Sequence, residues 1–237
     1  MTKQTPGKIY LADQRGLTEA PQFRRYSTLN FGSYAHEHKG AMGNLQALNE
    51  ETLAGVQRVT FQADQTAYVV ILPITGALNV HDSLGGISAV DVGEVQVFTV
   101  AAGKSIEIVN LYEADLISFL HIWITAHAPS STTPLPAFAF SSLENTLTEI
   151  VPGTATTPGE SALPFSLHLG CFAGRTEAIY HLKRENSLFF TFVIAGAFEV
   201  AGRLLHEKDG LALWDIAEVE LEALSNNALV VVLEINS

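Results

Sequence analysis

The sequence reads as an all-β protein built from two copies of one β-unit, and three observations carry that reading. Most of the chain falls into segments of about five to eight residues, rich in β-branched and aromatic side chains and punctuated by Gly, Asn or Asp. Few windows hold a helical period. Two stretches also share a rhythm: ILPITGALNVHDSLGGISAVDVGEVQVF, and FVIAGAFEVAGRLLHEKDGLALW. Each gives a strand, a Gly turn, a short strand, a polar turn, then an acidic residue close to a Gly and another strand. Composition completes the picture: 237 residues with 47% hydrophobic and 16% charged side chains bury a real core rather than stay disordered.

In the first half, strands are predicted at Gln57–Phe61, Ala67–Leu72, Ala77–His81, Val95–Val100, Ser105–Val109 and Leu116–Ile124. The turns between them carry turn chemistry: Thr75-Gly76, Asp82 to Gly86, Asp91-Val92-Gly93 and Ala102-Gly103. Pro73 interrupts a strand-like run, which marks an edge or a bulge because proline cannot donate to a ladder. Residues 128–136, APSSTTPLP, have no period and read as a linker. They divide the chain into domains at 1–127 and 137–237. The second block predicts strands at Phe165–Cys171, Ala178–Leu182, Leu188–Ile194, Ala197–Val200, Gly210–Trp214, Val219–Ala223 and Ala228–Ile235. Leu229 to Leu233 is apolar at odd and even positions alike, as a strand buried on both faces must be. Two double-sheet barrels follow from the repeat, although periodicity alone does not choose between a jelly roll and a sandwich.

Charge and cysteine content narrow the function classes. Lys plus Arg number 13 against 25 Asp plus Glu, a formal charge of −12, so a surface that binds nucleic acid or an anionic membrane would have to be built against the excess. Cys171 is the single cysteine, which leaves no intrachain disulfide and no thiolate zinc cluster. The opening MTKQTPGKIYLADQRG lacks the apolar stretch of a signal peptide, and the longest apolar run, Leu188 to Phe198, is broken by Thr191 and Gly196. The expectation is a cytoplasmic, monomeric protein without nucleic-acid or membrane partners.

A family resemblance runs along the chain. KIYLADQRG (Lys8 to Gly16), STLNFGSY (Ser27 to Tyr34), LQALNEETLAG (Leu45 to Gly55), GALNVHDS (Gly76 to Ser83), GEVQVFTVAAG (Gly93 to Gly103), LHIWI (Leu120 to Ile124) and KDGLALWD (Lys208 to Asp215) resemble, in order, segments of the pirins. These are bicupins that include quercetin-dioxygenase-like members. The resemblance implies two cupin barrels, each a jelly-roll or double-stranded β-helix. It also implies, in metal-binding members, iron or another divalent ion held in the N-terminal cupin by an H-x-H pair and an H-x-E pair. Counted back from Gly76, the first pair falls on Gln62 and Asp64; counted forward from Gly93, the second falls on Ile106 and Ile108. A slip of one residue before Pro73 would put Phe61 and Ala63 inward instead. Neither register supplies a transition-metal site, since alternate strand residues share a face and no four of these side chains make a ligand set. No metal or other cofactor is expected.

The remaining candidates read mostly as structural. His36-Glu37-His38 is an H-x-H in a polar, Gly-containing stretch, to be read as a solvated loop or, with Glu37 or Glu50, as an ectopic metal site. His81 and His121 lie on predicted strands without a ligand partner two residues on, and His168, His181 and His206 have no paired spacing. Cys171 sits in LHLGCFAG, where a buried inert thiol is the default, with His168 facing away. Phe189, Phe190, Phe192 and Phe198 lack the interleaved basic residues of a base-stacking surface and read as core. The functional expectation is a metal-free, non-catalytic, small-molecule-binding or regulatory bicupin. Its pocket has a polar wall of Gln62, Asp64 and Tyr68 and an apolar wall of Phe98, Ile106 and Ile108. Two other readings stand beside it: a quercetin 2,3-dioxygenase-like oxygenase using Asp64, His81 and His121 as an unusual ligand set, and a module that binds a protein partner.

Overall fold

A computed structural model describes residues 5–127, 135–154 and 162–236. It is all-β apart from a single 3-10 turn at Ala12–Gln14. In chain order the strands are β1 (Gly7–Tyr10), β2 (Gly16–Ala20), β3 (Phe23–Ser27), β4 (Leu45–Leu53), β5 (Arg58–Gln62), β6 (Ala67–Thr75) and β7 (Leu78–His81). Next come β8 (Ile87–Val90), β9 (Glu94–Val100), β10 (Ser105–Val109), β11 (Ile117–Thr125), β12 (Phe138–Ala139), β13 (Thr148–Val151) and β14 (Phe165–Phe172). The chain closes with β15 (Glu177–His181), β16 (Leu188–Ala195), β17 (Phe198–Val200), β18 (Arg203–Leu205), β19 (Gly210–Leu213), β20 (Glu218–Ala223) and β21 (Ala228–Ile235).

Two compact units form, Arg15–Ala139 and a second that joins the segment ending at Gln14 to Phe140–Ser237. This corrects the expected division at 1–127 and 137–237. The N-terminal segment belongs with the C-terminal half because β1 makes its ladder with β19, Gly7 opposite Leu213 through Tyr10 opposite Gly210. At the other join, β12 pairs with β9, Phe138 opposite Val95, which ties residues up to Ala139 to the first unit. Residues 128–134 of the expected linker lie outside the described residues.

The internal repeat is visible strand for strand. In the first unit the large sheet runs β12-β9-β6-β11-β4-β3-β2 and the small one β5-β10-β7-β8. In the second, the large sheet runs β1-β19-β16-β21-β14-β13 and the small one β15-β20-β17-β18. The β9-β6-β11-β4 order therefore recurs as β19-β16-β21-β14, and each unit is a double-sheet barrel. Every strand turns alternate side chains inward, so β5 alternates exposed and buried along its length, and Val59, Phe61, Ile106 and Ile108 meet Val69, Ile71, Phe119 and Trp123 in one core. The second barrel is filled by Phe172, Phe189, Phe198, Val230 and Val232 among others. As expected of a strand buried on both faces, β21 lies between β16 and β14 with nearly all residues buried.

Pro73 lies at a bulge and not at an edge. β6 sits between β9 and β11, and its register against β11 shifts where Ser118 faces Thr75 and Phe119 faces Pro73, leaving Ile74 as the extra residue. Gly76 then turns the chain into β7 at φ +74°, where a Cβ would lie 2.6 Å from Ile117 Cγ2. Gly196 does the same work between β16 and β17 at φ +79°. In each repeat the turn demands a left-handed residue and tight packing together, which only glycine supplies. Gly76→Ala is expected to cost about 1–3 kcal/mol in denaturant unfolding with an unchanged slope, from backbone strain plus the Ile117 contact.

Candidate ligand-binding cleft

The inner face of the first barrel carries a buried polar chain. β3 pairs with β4 so that Arg25 faces Glu51 and Ser27 faces Asn49, and β4 pairs with β11 so that Asn49 faces His121. Arg25 donates from Nε to Glu51 Oε2 at 2.6 Å and from Nη2 to Oε1 at 3.3 Å. Both side chains are withdrawn from water, Glu51 completely. A buried carboxylate is tolerated only where such a bidentate cation holds it. The guanidinium is also flanked by aromatic rings, with its carbon 4.9 Å from the Phe61 centroid and 5.2 Å from those of Phe23 and Phe31.

His121 extends the chain. Trp123 Nε1, a donor only, bonds His121 Nδ1 at 2.8 Å, so Nδ1 accepts and the neutral ring carries its proton on Nε2. Nε2 is 3.5 Å from Glu51 Oε2, a polar contact longer than a formed hydrogen bond. Phe61 stacks on the imidazole at 4.3 Å, and Phe31 meets it edge-on at 5.3 Å. Complete burial is the main cause that pushes the His121 pKa below the ordinary histidine value, against the opposing pull of Glu51.

Above this chain opens a cleft of about 590 Å³. Its floor is Ala47, Phe61 and Trp123, and its walls are Phe31, Gly32 and Tyr34 with the amides of Asn30, Gln46, Gln62 and Gln65. Arg25 reaches it as well: with Nε and Nη2 held by Glu51, Nη1 lies on the side of Gly32, where a Cβ would stand 3.8 Å away. The cleft thus offers flat aromatic surface, neutral amides and one oriented guanidinium edge. Such a lining suits a small amphipathic molecule with a hydrogen-bond acceptor.

The expected pocket residues are only partly brought together. Gln62 and Asp64 line the cleft, but as exposed rim residues, because Phe61 and Ala63 take the inward positions. The Pro73 bulge is the reason: one extra residue in β6 makes a count back from Gly76 land one position late. Ile106 and Ile108 do point inward and are fully buried, together with Phe98, yet they lie in the core and not on the cleft wall. Tyr68 is on the opposite face of β6 from Ala67 and Val69, both of which are in the core, so it has no part in the cleft. Arg25, Phe31 and Trp123 carry no joint sequence signal, because they lie far apart in the chain and no local spacing links them.

The count from Gly76 places the first ligand pair on Gln62 and Asp64; with the one-residue slip at Pro73, the inward positions hold Phe61, Ala63, Ile106 and Ile108, none more than 3% exposed and Phe61 directly opposite Ile106. These side chains offer no lone pair, so the residues present do not fit an iron-type ion. Nor are Asp64, His81 and His121 gathered: Asp64 is on the rim, His121 is in the core, and His81 reaches outward to Glu107, Nδ1 to Oε2 3.3 Å. Among the described residues no three His, Cys, Asp or Glu side chains form a metal-holding group.

The other histidines and the cysteine also take definite places. His36 and His38 lie in an exposed loop, with His38 Nε2 2.9 Å from Glu37 Oε1, while Glu50 is engaged by Arg15 at 2.9 Å. His181 is exposed beside Glu218. Phe189, Phe190, Phe192 and Phe198 are core. Cys171 departs from the expected buried thiol: it is half-buried, because its side chain lies on the opposite face of β14 from the inward Phe172. His168 is buried in the second unit against the Tyr180 ring, and burial lowers its pKa to about 4.

His168 and His121 both have folded pKa values below the unfolded value of about 6.5, so their share of stability is complete above that pH and is lost as pH falls toward the folded value. For His168 the window runs from about 6.5 to about 4 and the loss is on the order of 3 kcal/mol. Chemical unfolding at pH 7.5, 6, 5 and 4.5 is expected to show a weaker fall for His168→Gln than for the unsubstituted protein.

Comparison with known proteins agrees with this architecture. Residues 165–235 match the family described as the quercetinase C-terminal cupin domain. Quercetin 2,3-dioxygenase of Escherichia coli K12 is 19% identical over 221 residues, covering 92% of this chain and 95% of that protein. Among solved structures, YhhW from Escherichia coli superposes with a TM-score of 0.84 at 16% identity, covering 97% of each chain. A second YhhW structure, described as a bacterial pirin in complex with nickel(II), gives a TM-score of 0.82 at 16% identity over 98% of this chain and 99% of that one. Two barrels with the same strand order, the seven pirin-like segments and these likenesses lead to one conclusion: the chain is a pirin-like bicupin.

Proposed function

We propose that this bicupin binds a small amphipathic molecule in the cleft of its first unit, in a regulatory or binding role, and works without a metal. The observation that carries the reading is the apolar set Phe61, Ala63, Ile106 and Ile108 at the inward positions, beside a cleft with aromatic walls and an oriented Arg25. Activation of dioxygen needs an ion or redox group, and these four side chains supply no ligand for an ion. Binding needs only shape and a few oriented polar groups, and the cleft retains both. Because curated relatives are quercetin 2,3-dioxygenases, planar polyphenols are the first ligands to try. The second reading, an oxygenase with ligands from Asp64, His81 and His121, would need the barrel to rearrange.

Two measurements test the proposal. Elemental analysis after incubation with Fe(II), Mn(II), Ni(II) or Cu(II) and desalting is expected to give well below one metal per chain. Near one metal, with quercetin-dependent oxygen uptake, would overturn the metal-free reading. Trp214→Phe leaves Trp123 as the only tryptophan of two. Titration of that variant with quercetin is expected to quench Trp123, and adding bulk at the rim with Ala35→Phe is expected to weaken binding, read from the quenching, at least tenfold. Equal quenching with and without the rim substitution would place binding elsewhere.

A further inference from the structure

Between the Ala47 and Trp123 row of the cleft floor and the Arg25–Glu51 pair lies a polar row that the binding reading does not use. Ser27 on β3, Asn49 on β4 and His121 on β11 stand opposite one another on the inner face of three adjacent strands. All three are fully buried. Ser27 Oγ, both amide atoms of Asn49 and His121 Nε2 have no hydrogen-bond partner among the described residues. Ile71 borders the row beside His121, and Gly16 borders it beside Ser27, where a Cβ would strike the Tyr34 ring. The row above it holds Ala47 and Trp123 of the cleft floor, two residues away along the strands or about 7 Å.

Four unpartnered polar atoms in one buried row cannot be accidental debris of a dry core. A buried amide or hydroxyl without a partner is costly, and folded proteins leave very few. The donors and acceptors also specify what would satisfy them. Asn49 Nδ2 and the His121 Nε2–H donate, Asn49 Oδ1 accepts, and Ser27 Oγ does either. Arg25 and Glu51, the next facing pair along β3 and β4, neutralise each other. An occupant of this row must therefore be small, neutral and able both to give and to take hydrogen bonds. A transition metal is unsuited, because His121 Nδ1 already accepts from Trp123 and Nε2 carries the proton.

We infer that the first barrel holds an ordered water among Ser27, Asn49 and His121, next to the Ala47 and Trp123 row of the cleft floor. Water is the smallest molecule with the required pattern, and a buried water commonly makes about three hydrogen bonds to groups left unpaired in this way. It joins Asn49 to His121 Nε2 and so completes the chain that begins at Arg25.

Oxygen-17 relaxation dispersion of solvent water, which counts long-lived internal waters, tests this on the full chain. Asn49→Leu, close in volume but without polar atoms, is expected to lose at least one long-lived water and to lower the unfolding midpoint, since Ser27 and His121 then lose their bridge. Ser27→Ala, a smaller change that keeps the fold if Asn49→Leu does not, is expected to shorten the residence time of the water. The inference is overturned if dispersion is unchanged in both variants, or if Asn49→Leu raises the unfolding midpoint, as removal of an amide that had no partner at all would do.

Discussion

The register of β6 against β11 decides what faces the interior of the first barrel. Strand side chains alternate with a period of two, so one residue of slip exchanges an entire inward set for an outward one. The extra residue at Pro73 introduces that slip between Gly76 and everything before it. With it, Phe61 and Ala63 turn inward, and Gln62 and Asp64 go to the cleft rim. The apolar plug opposite Ile106 and Ile108, the aromatic stack on His121 and the floor of the cleft all follow from Phe61 and Ala63 facing inward.

Within that apolar barrel, the chain from Arg25 through Glu51 to His121 and Trp123 is an exception that needs its own support. An ion pair away from water earns little net stability and punishes the loss of either member, because the survivor is left charged and buried. Such a pair nevertheless orients its surroundings. Glu51 holds the Nε–Nη2 edge of the guanidinium and leaves Nη1 for the cleft, while Trp123 fixes the tautomer of His121. Rigid presentation of a single donor edge between aromatic rings is what a binding cleft requires and what a flexible surface arginine does not provide.

The pirin-like architecture persists here apart from the ligand set that the family resemblance implies. Folds host many chemistries, and the site rather than the fold decides among them. Phe61, Ala63, Ile106 and Ile108 all belong to the hydrophobic core of the first barrel, so these inward positions serve packing while the β5–β10 pairing stays regular.

The sequence by itself determined the all-β class, the two-fold repeat, most strands of both barrels and the inward direction of Ile106 and Ile108. These follow from local periodicity and turn chemistry, which are properties of neighbouring residues. The strands β1, β8, β12, β13 and β18 were not legible because segments of two to four residues carry no period, and β2, β3 and β4 were not because polar residues such as Arg25, Asn49 and Glu51 stand at positions the fold buries. Tertiary structure decided the rest. It tied β1 to β19 across about two hundred residues of chain, chose a bulge over an edge for Pro73, moved Tyr68 to the far face and brought Arg25, Glu51 and His121 together. Each of those outcomes depends on which strands pair and in what register, a long-range choice that no local spacing records.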